Sequence, residues 1–222
     1  MTVPSNNIEA TIVKLDSELP WLPFDIPGGT SSVEIVRLAH DPTDGARTLV
    51  VRFPAGWQRP ASGHYESAEE IVFLKGGLTM SGLGYSEGDW AWIPEDWRRS
   101  DTSVETETLT LARFSGPATW VSSDGQREDR APASAKIQPA DGRSAMPSPL
   151  GEGRGWLLRR GPIGSAWVTD APPPGQPSPV DAEVLDITGL TWAMVRKGTP
   201  FPALGGPCFT RTFEPQEGEG PQ

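Results

Sequence analysis

The chain has 222 residues, a formal net charge of −10 and a pI near 4.7. It is long enough to bury a real core as one large or two small domains, and its acidity disfavours a nucleic-acid backbone or an anionic membrane as partner, since both need a basic face. A single cysteine, Cys208, excludes an intramolecular disulfide and a thiolate metal site within one chain, while 25 glycines and 24 prolines disfavour long helices.

From the N-terminus, Met1 to Ala10 carries no basic cluster followed by an apolar run, and no later stretch approaches the roughly 18 apolar residues of a membrane span. With the lone cysteine this predicts a cytoplasmic protein, and fifteen arginines against four lysines suit a GC-rich bacterial genome. Trp21 to Gly29 is expected to cross to a second barrel as an edge strand or arm. Six apolar, β-branched or aromatic segments then predict strands: Val33 to Leu38, Arg47 to Phe53, Glu69 to Leu74, Leu78 to Ser81, Trp90 to Ile93 and Thr108 to Phe114. Asp41-Pro42-Thr43-Asp44-Gly45 and Lys75-Gly76-Gly77 read as hairpin turns between consecutive strands. The composition shifts to Ala, Ser, Pro, Gly and charged residues from Gln126 to Gly153. This predicts a first domain at 1–125, a connector at 126–153 and a second domain at 154–222, ending in a frayed tail from Gln216.

The second half echoes the first. Leu38-x3-Pro42 with Gly45 is matched by Leu158-x3-Pro162 with Gly164, and Glu70 to Gly76 by Glu183 to Gly189. The order of the matches agrees, which predicts a duplicated all-β barrel. The echo sets Ala182 where Glu69 stands, and Pro172 to Val180 holds no histidine. The second copy is therefore expected to cover the first barrel or to form a homodimer surface.

Chemistry-bearing residues concentrate between Gly56 and Gly76. Five residues separate Gly56 from Ser62, one separates Ser62 from His64, four separate His64 from Glu69, and six separate Glu69 from Gly76. Downstream, Gly88-Asp89 is followed by Pro94, Asp96 and Arg99. The first pattern resembles the first cupin motif, which has histidine where this chain has Ser62. The second resembles the second cupin motif, which has glycine at Asp96 and histidine at Arg99. The resemblance is to the cupin superfamily and its small bacterial ChrR-like members. It implies a jelly-roll (double-stranded β-helix) barrel, here duplicated as a bicupin with an eroded C-terminal copy.

For metal-binding cupins the resemblance implies three histidines and one glutamate converging on Fe, Mn, Ni or Zn. Carried over by position, His64 and Glu69 survive, Glu66 offers a further oxygen, and Ser62 and Arg99 replace ligands. A guanidinium beside the ion repels it, so no cofactor is expected, with a divalent metal on His64, Glu69 and Glu66 as the alternative. The leading functional expectation is an acid/base enzyme, an isomerase, epimerase or cyclase acting on a small molecule. His64 and Glu69 are its acid/base residues and Arg99 clamps an anion. Ser62, Trp57, Tyr65, Trp90 and Trp92 are expected to contact a carboxylate-bearing or aromatic substrate. A metal-dependent dioxygenase and a non-catalytic binding or sensor cupin stand as alternatives, and an inert Arg99–Glu69 ion pair with His64 alongside is the bland one. Glu69 or Glu70 can face inward, and the spacing to Gly76 favours Glu69.

Overall fold

The computed structural model describes residues 11–15, 19–123, 131–137, 144–161 and 164–213. The expected tail from Gln216, Met1 to Ala10 and Pro162 lie outside them. The described residues form twenty strands and no helix. In chain order the first seven are β1 (Thr11–Lys14), β2 (Leu22–Phe24), β3 (Val33–His40), β4 (Arg47–Phe53), β5 (Gln58–Arg59), β6 (Gly63–Tyr65) and β7 (Glu69–Lys75). There follow β8 (Gly77–Met80), β9 (Leu83–Ser86), β10 (Asp89–Ile93), β11 (Thr102–Ser103), β12 (Thr108–Phe114), β13 (Trp120–Ser122) and β14 (Ala133–Lys136). The last six are β15 (Met146–Pro147), β16 (Arg154–Arg159), β17 (Ser165–Thr169), β18 (Asp181–Asp186), β19 (Thr191–Val195) and β20 (Cys208–Phe213).

The chain divides into two compact units, Glu18–Lys136 and a second made of Met1–Ser17 with Ile137–Gln222. In the first, an antiparallel sheet of order β14-β10-β7-β12-β4-β3-β2 is accompanied by the sheets β5-β11-β8-β9 and β13-β6. β7 and β12 sit centrally and are buried along nearly their whole length, so even their polar residues, Glu69, Glu70, Thr108 and Thr110, lie inside. Val51, Phe53, Trp57, Tyr65, Ile71, Phe73, Ala112 and Phe114 belong to the core enclosed by these sheets.

The second unit carries a sheet of order β1-β19-β18-β20-β17-β16-β15. Strand for strand this repeats the first sheet, with β18 in the place of β7, β19 of β10 and β20 of β12. The two sequence echoes fall on equivalent positions. Glu70 lies opposite Arg113 and Glu183 opposite Arg211. The β3–β4 ladder skips Leu38 and the β16–β17 ladder skips Leu158, so each leucine marks the same β-bulge. The fold is thus a duplicated all-β barrel, and outside the second sheet the described residues of that unit carry one isolated bridge, Pro177↔Pro200, flanked by backbone hydrogen bonds between Gly175–Ser178 and Gly198–Phe201.

Three expectations need correction. The arm that joins the other unit is β1, which pairs with β19, whereas Trp21 to Gly29 contributes β2 to its own sheet beside β3. Ala133–Lys136, within the stretch read as a connector, is a strand paired with β10. Asp41 to Gly45 does close a hairpin, the Gly45 N–H donating to the Asp41 carbonyl at 2.9 Å, but Lys75-Gly76-Gly77 does not. There β7 passes to a different sheet, because β8 pairs with β9 and β11. Gly76 takes φ 72° at this corner, and a Cβ there would meet the Glu107 carbonyl oxygen at 2.6 Å.

Candidate functional site

β6 and β7 carry the residues between the motif glycines, and strand alternation decides which of them face the barrel interior. On β6, Gly63 and Tyr65 are buried while His64 is half-buried. On β7, Glu69, Ile71 and Phe73 share the inner face, and Glu69 and Ile71 line a cavity. Glu70 lies on the opposite face, buried, and accepts a hydrogen bond from the Trp90 indole at 2.9 Å. The six-residue spacing to Gly76 therefore selects Glu69 as the inward carboxylate.

Inside the barrel a compact charged cluster closes around Tyr65. Arg99 is ion-paired and hydrogen-bonded to Glu69, and both are buried. The Gly63 and Arg99 backbones bridge each other, with the Arg99 N–H donating to the Gly63 carbonyl at 2.7 Å. This bridge sets the Arg99 guanidinium 4.7 Å from the centre of the Tyr65 ring. Arg59, 3% exposed, donates to the Tyr65 hydroxyl at 3.5 Å and lies 4.0 Å from the Trp120 ring centre. The Arg99–Tyr65 and Arg59–Trp120 ring contacts are cation–π stackings, worth about 2 kcal/mol when desolvated. Burial pushes the Arg59 guanidinium below its ordinary value and the Tyr65 phenol above its own, so the phenol stays a neutral donor. The cluster holds two cations against one carboxylate.

The cavity beside this cluster has a volume of about 170 Å³. Ile35, Leu49, Val51, Ile71, Ala112 and Phe114 form most of its apolar wall, and Tyr65, Glu69 and Thr110 supply polar atoms. Phe24, Pro27 and Arg37 are lining residues that are also exposed, so they mark the opening.

The expected site residues are brought together only in part. Glu69, Arg99 and Tyr65 converge. His64 does not line the cavity; its Nε2 lies 3.5 Å from the Asp96 carboxylate. Glu66 is exposed, and Ser62, half-buried, is not a cavity-lining residue; its carbonyl accepts the Ser123 backbone N–H at 3.3 Å. His64, Glu66 and Glu69 therefore do not form one donor set. The physical reason is a shift by one position: the inward residues of β6 are Gly63 and Tyr65, and neighbours in a strand cannot both face the interior. Asp96 takes φ 59°, a left-handed conformation that suits the glycine of the second motif and that aspartate tolerates.

The aromatic wall also needs correction. Trp57 is core, its indole donating to the Ser31 carbonyl at 2.9 Å and its ring edge-on to Phe53. Trp90 and Trp92 do share a face of β10, but it is the face opposite to Ala91 and Ile93, which belong to the barrel core. Arg59, Trp120 and the aliphatic lining residues were not singled out from sequence. The alternation of Gly63 and Tyr65 was the available signal.

The profile of the ChrR cupin-like domain family matches residues 9–119. The chain belongs to that cupin family. Among solved structures, a Nostoc punctiforme protein described as a candidate dioxygenase superposes with a TM-score of 0.73, covering 92% of this chain and 82% of its own, at 14% identity. The E. coli protein Ylba superposes with a TM-score of 0.58, covering 92% and 91%, at 9% identity. At these identities the likeness is one of fold. No curated protein matches the sequence.

The cupin fold implies a divalent metal, and the donors present decide whether one fits. The inward side chains at the motif positions of this cupin are a phenol, a carboxylate taken up by a guanidinium, and that guanidinium itself. Among the described residues no three His, Cys, Asp or Glu side chains group as a metal-binding set. Two permanent cations beside one carboxylate oppose a further dication, so these residues do not fit the ion. In the second copy, Ala182 is buried among Val184, Ala193, Val195 and Cys208, and burial pushes the Cys208 thiol up to about 12. That thiol is an inert core group.

Proposed function

We propose that the N-terminal barrel of this cupin is a metal-independent binding site for a small, largely apolar organic molecule. The observation that carries this reading is the apolar cavity of about 170 Å³ lying against a charged cluster whose single carboxylate is already paired. An apolar cavity of about 150 Å³ takes a molecule the size of benzene, so the fitting ligand is monocyclic or short-chained. The expected acid/base enzyme needs His64 opposite Glu69, and that histidine faces Asp96 on the other side of the strand. Binding therefore replaces turnover as the favoured activity, in the sense of the sensor alternative.

Thermal shift with a panel of apolar molecules of up to about ten non-hydrogen atoms, run on the full chain and on Ala118→Trp, tests this. Ala118 is half-buried and lines the cavity, so the indole fills it without a change in the deep core. Ligand-dependent stabilisation present in the wild type and lost in the variant supports the reading. One equivalent of Fe, Mn, Ni or Zn, raising the melting temperature and abolished by Glu69→Gln, would overturn it in favour of the dioxygenase alternative.

A further inference from the structure

The charges around the cavity are unevenly placed. The Glu69 carboxylate is paired with Arg99 at the inner wall, while the opening carries Arg37, exposed, and Arg47, partly exposed. The two arginines come from the paired strands β3 and β4. Burial and the charge of Arg37 both push the Arg47 guanidinium below its ordinary value, which places them within each other's field. Arg47 donates its Nε–H to the Gly45 carbonyl at 3.1 Å, and neither guanidinium makes an ion pair among the described residues.

Three other surface arginines do pair with carboxylates. Arg52 pairs with Glu34 at 2.8 Å, Arg154 with Asp170 at 3.1 Å and Arg196 with Asp181 at 3.3 Å. On a protein of formal charge −10, two neighbouring cations without carboxylates at the rim of an apolar cavity repel each other until an anion joins them. Phe24, also at the opening, is 47% exposed and extends the apolar surface outward. A ligand satisfying both regions has an apolar body and one anionic end. Of the charged cluster only Glu69 and Tyr65 line the cavity, Arg59 and Arg99 lying behind them, so an anion placed deep meets a carboxylate first whereas one at the rim meets two guanidinium groups.

We propose that the barrel takes a small apolar carboxylic acid in its carboxylate form, with the apolar body in the cavity and the carboxylate held at the rim by Arg37 and Arg47. The inference rests on the binding function above and assigns the ligand class to it. Planar guanidinium groups suit a carboxylate through paired hydrogen bonds.

Calorimetric titration of the full chain with two matched pairs, hexanoate against hexanamide and phenylacetate against phenylacetamide, tests it. Each pair keeps shape and removes charge. The expected result is a carboxylate preference of about tenfold at low salt that shrinks at high salt. In the Arg37→Ala/Arg47→Ala double variant the preference disappears while the amides keep their affinity. Equal affinity for carboxylate and amide overturns the assignment and leaves apolar binding standing. A preference that survives the double variant overturns the rim placement. If neither pair binds and Ala118→Trp changes nothing, both this inference and the binding function fail together.

Discussion

Glu69 is the one carboxylate between two buried guanidinium groups, so its removal leaves Arg99 and Arg59 without a counter-charge in a dry interior. Breaking a buried pair from one side costs about 3–5 kcal/mol, whereas replacing both members by apolar groups of similar volume is close to neutral. Urea unfolding should therefore show Glu69→Gln destabilised by that amount and Glu69→Leu/Arg99→Met restored by most of it. A Glu69→Gln loss below about 1 kcal/mol would mean that water or a bound anion already compensates the arginines. The same residues show how far the sequence could be read. Glu69 and Arg99 were legible because their spacing to Gly76 and Gly88 holds in the structure. His64 was misplaced because motif spacing counts residues along the chain, and a shift of one position turns a side chain to the other face.

Among the elements, β1 and β14 have a role that no local signal announces. Each is a short strand lying at the end of a seven-stranded sheet, β1 beside β19 and β14 beside β10. Thr11–Lys14 and Ala133–Lys136 have neither the length nor the apolar density of the central strands, and their partners lie far away in sequence. That distance is why the sequence supplied the central strands and the Asp41 to Gly45 hairpin but mistook the arm. Proline at position 13 removes a backbone donor and fixes φ, which a paired strand does not accept. In Val13→Pro, hydrogen exchange of the amides of Thr191–Val195 should accelerate by more than that of Trp90–Ile93. Unchanged protection of β19 would show that the β1 pairing contributes nothing to its stability.

At the scale of the whole molecule, two sheets of identical strand order have taken different interiors. The first keeps a carboxylate at Glu69, while its counterpart Ala182 is fully buried in an apolar cluster. Ala182→Glu places a charge there among Val184, Val195 and Phe201, and should lower stability by at least ~3 kcal/mol in a chemical unfolding curve. A smaller loss would indicate that the second copy retains a hidden polar partner for that position. The duplication itself was visible from the leucine and glutamate echoes, since a β-bulge and a central strand position constrain residue type. The erosion of the second copy is legible too, because Pro172 to Val180, rich in proline, carries no histidine and among the described residues holds no named strand.

The placement of β1 and β14 also bears on inheritance. If each repeat is counted as an arm followed by a barrel, the arm of the first completes the sheet of the second, and the arm of the second completes the sheet of the first. A gene cut anywhere between the copies therefore yields two fragments that each carry the other's missing margin. Each fragment then lacks one edge strand of its own sheet and carries one of the other's, so co-expression of the two should restore the protected edges that neither shows alone.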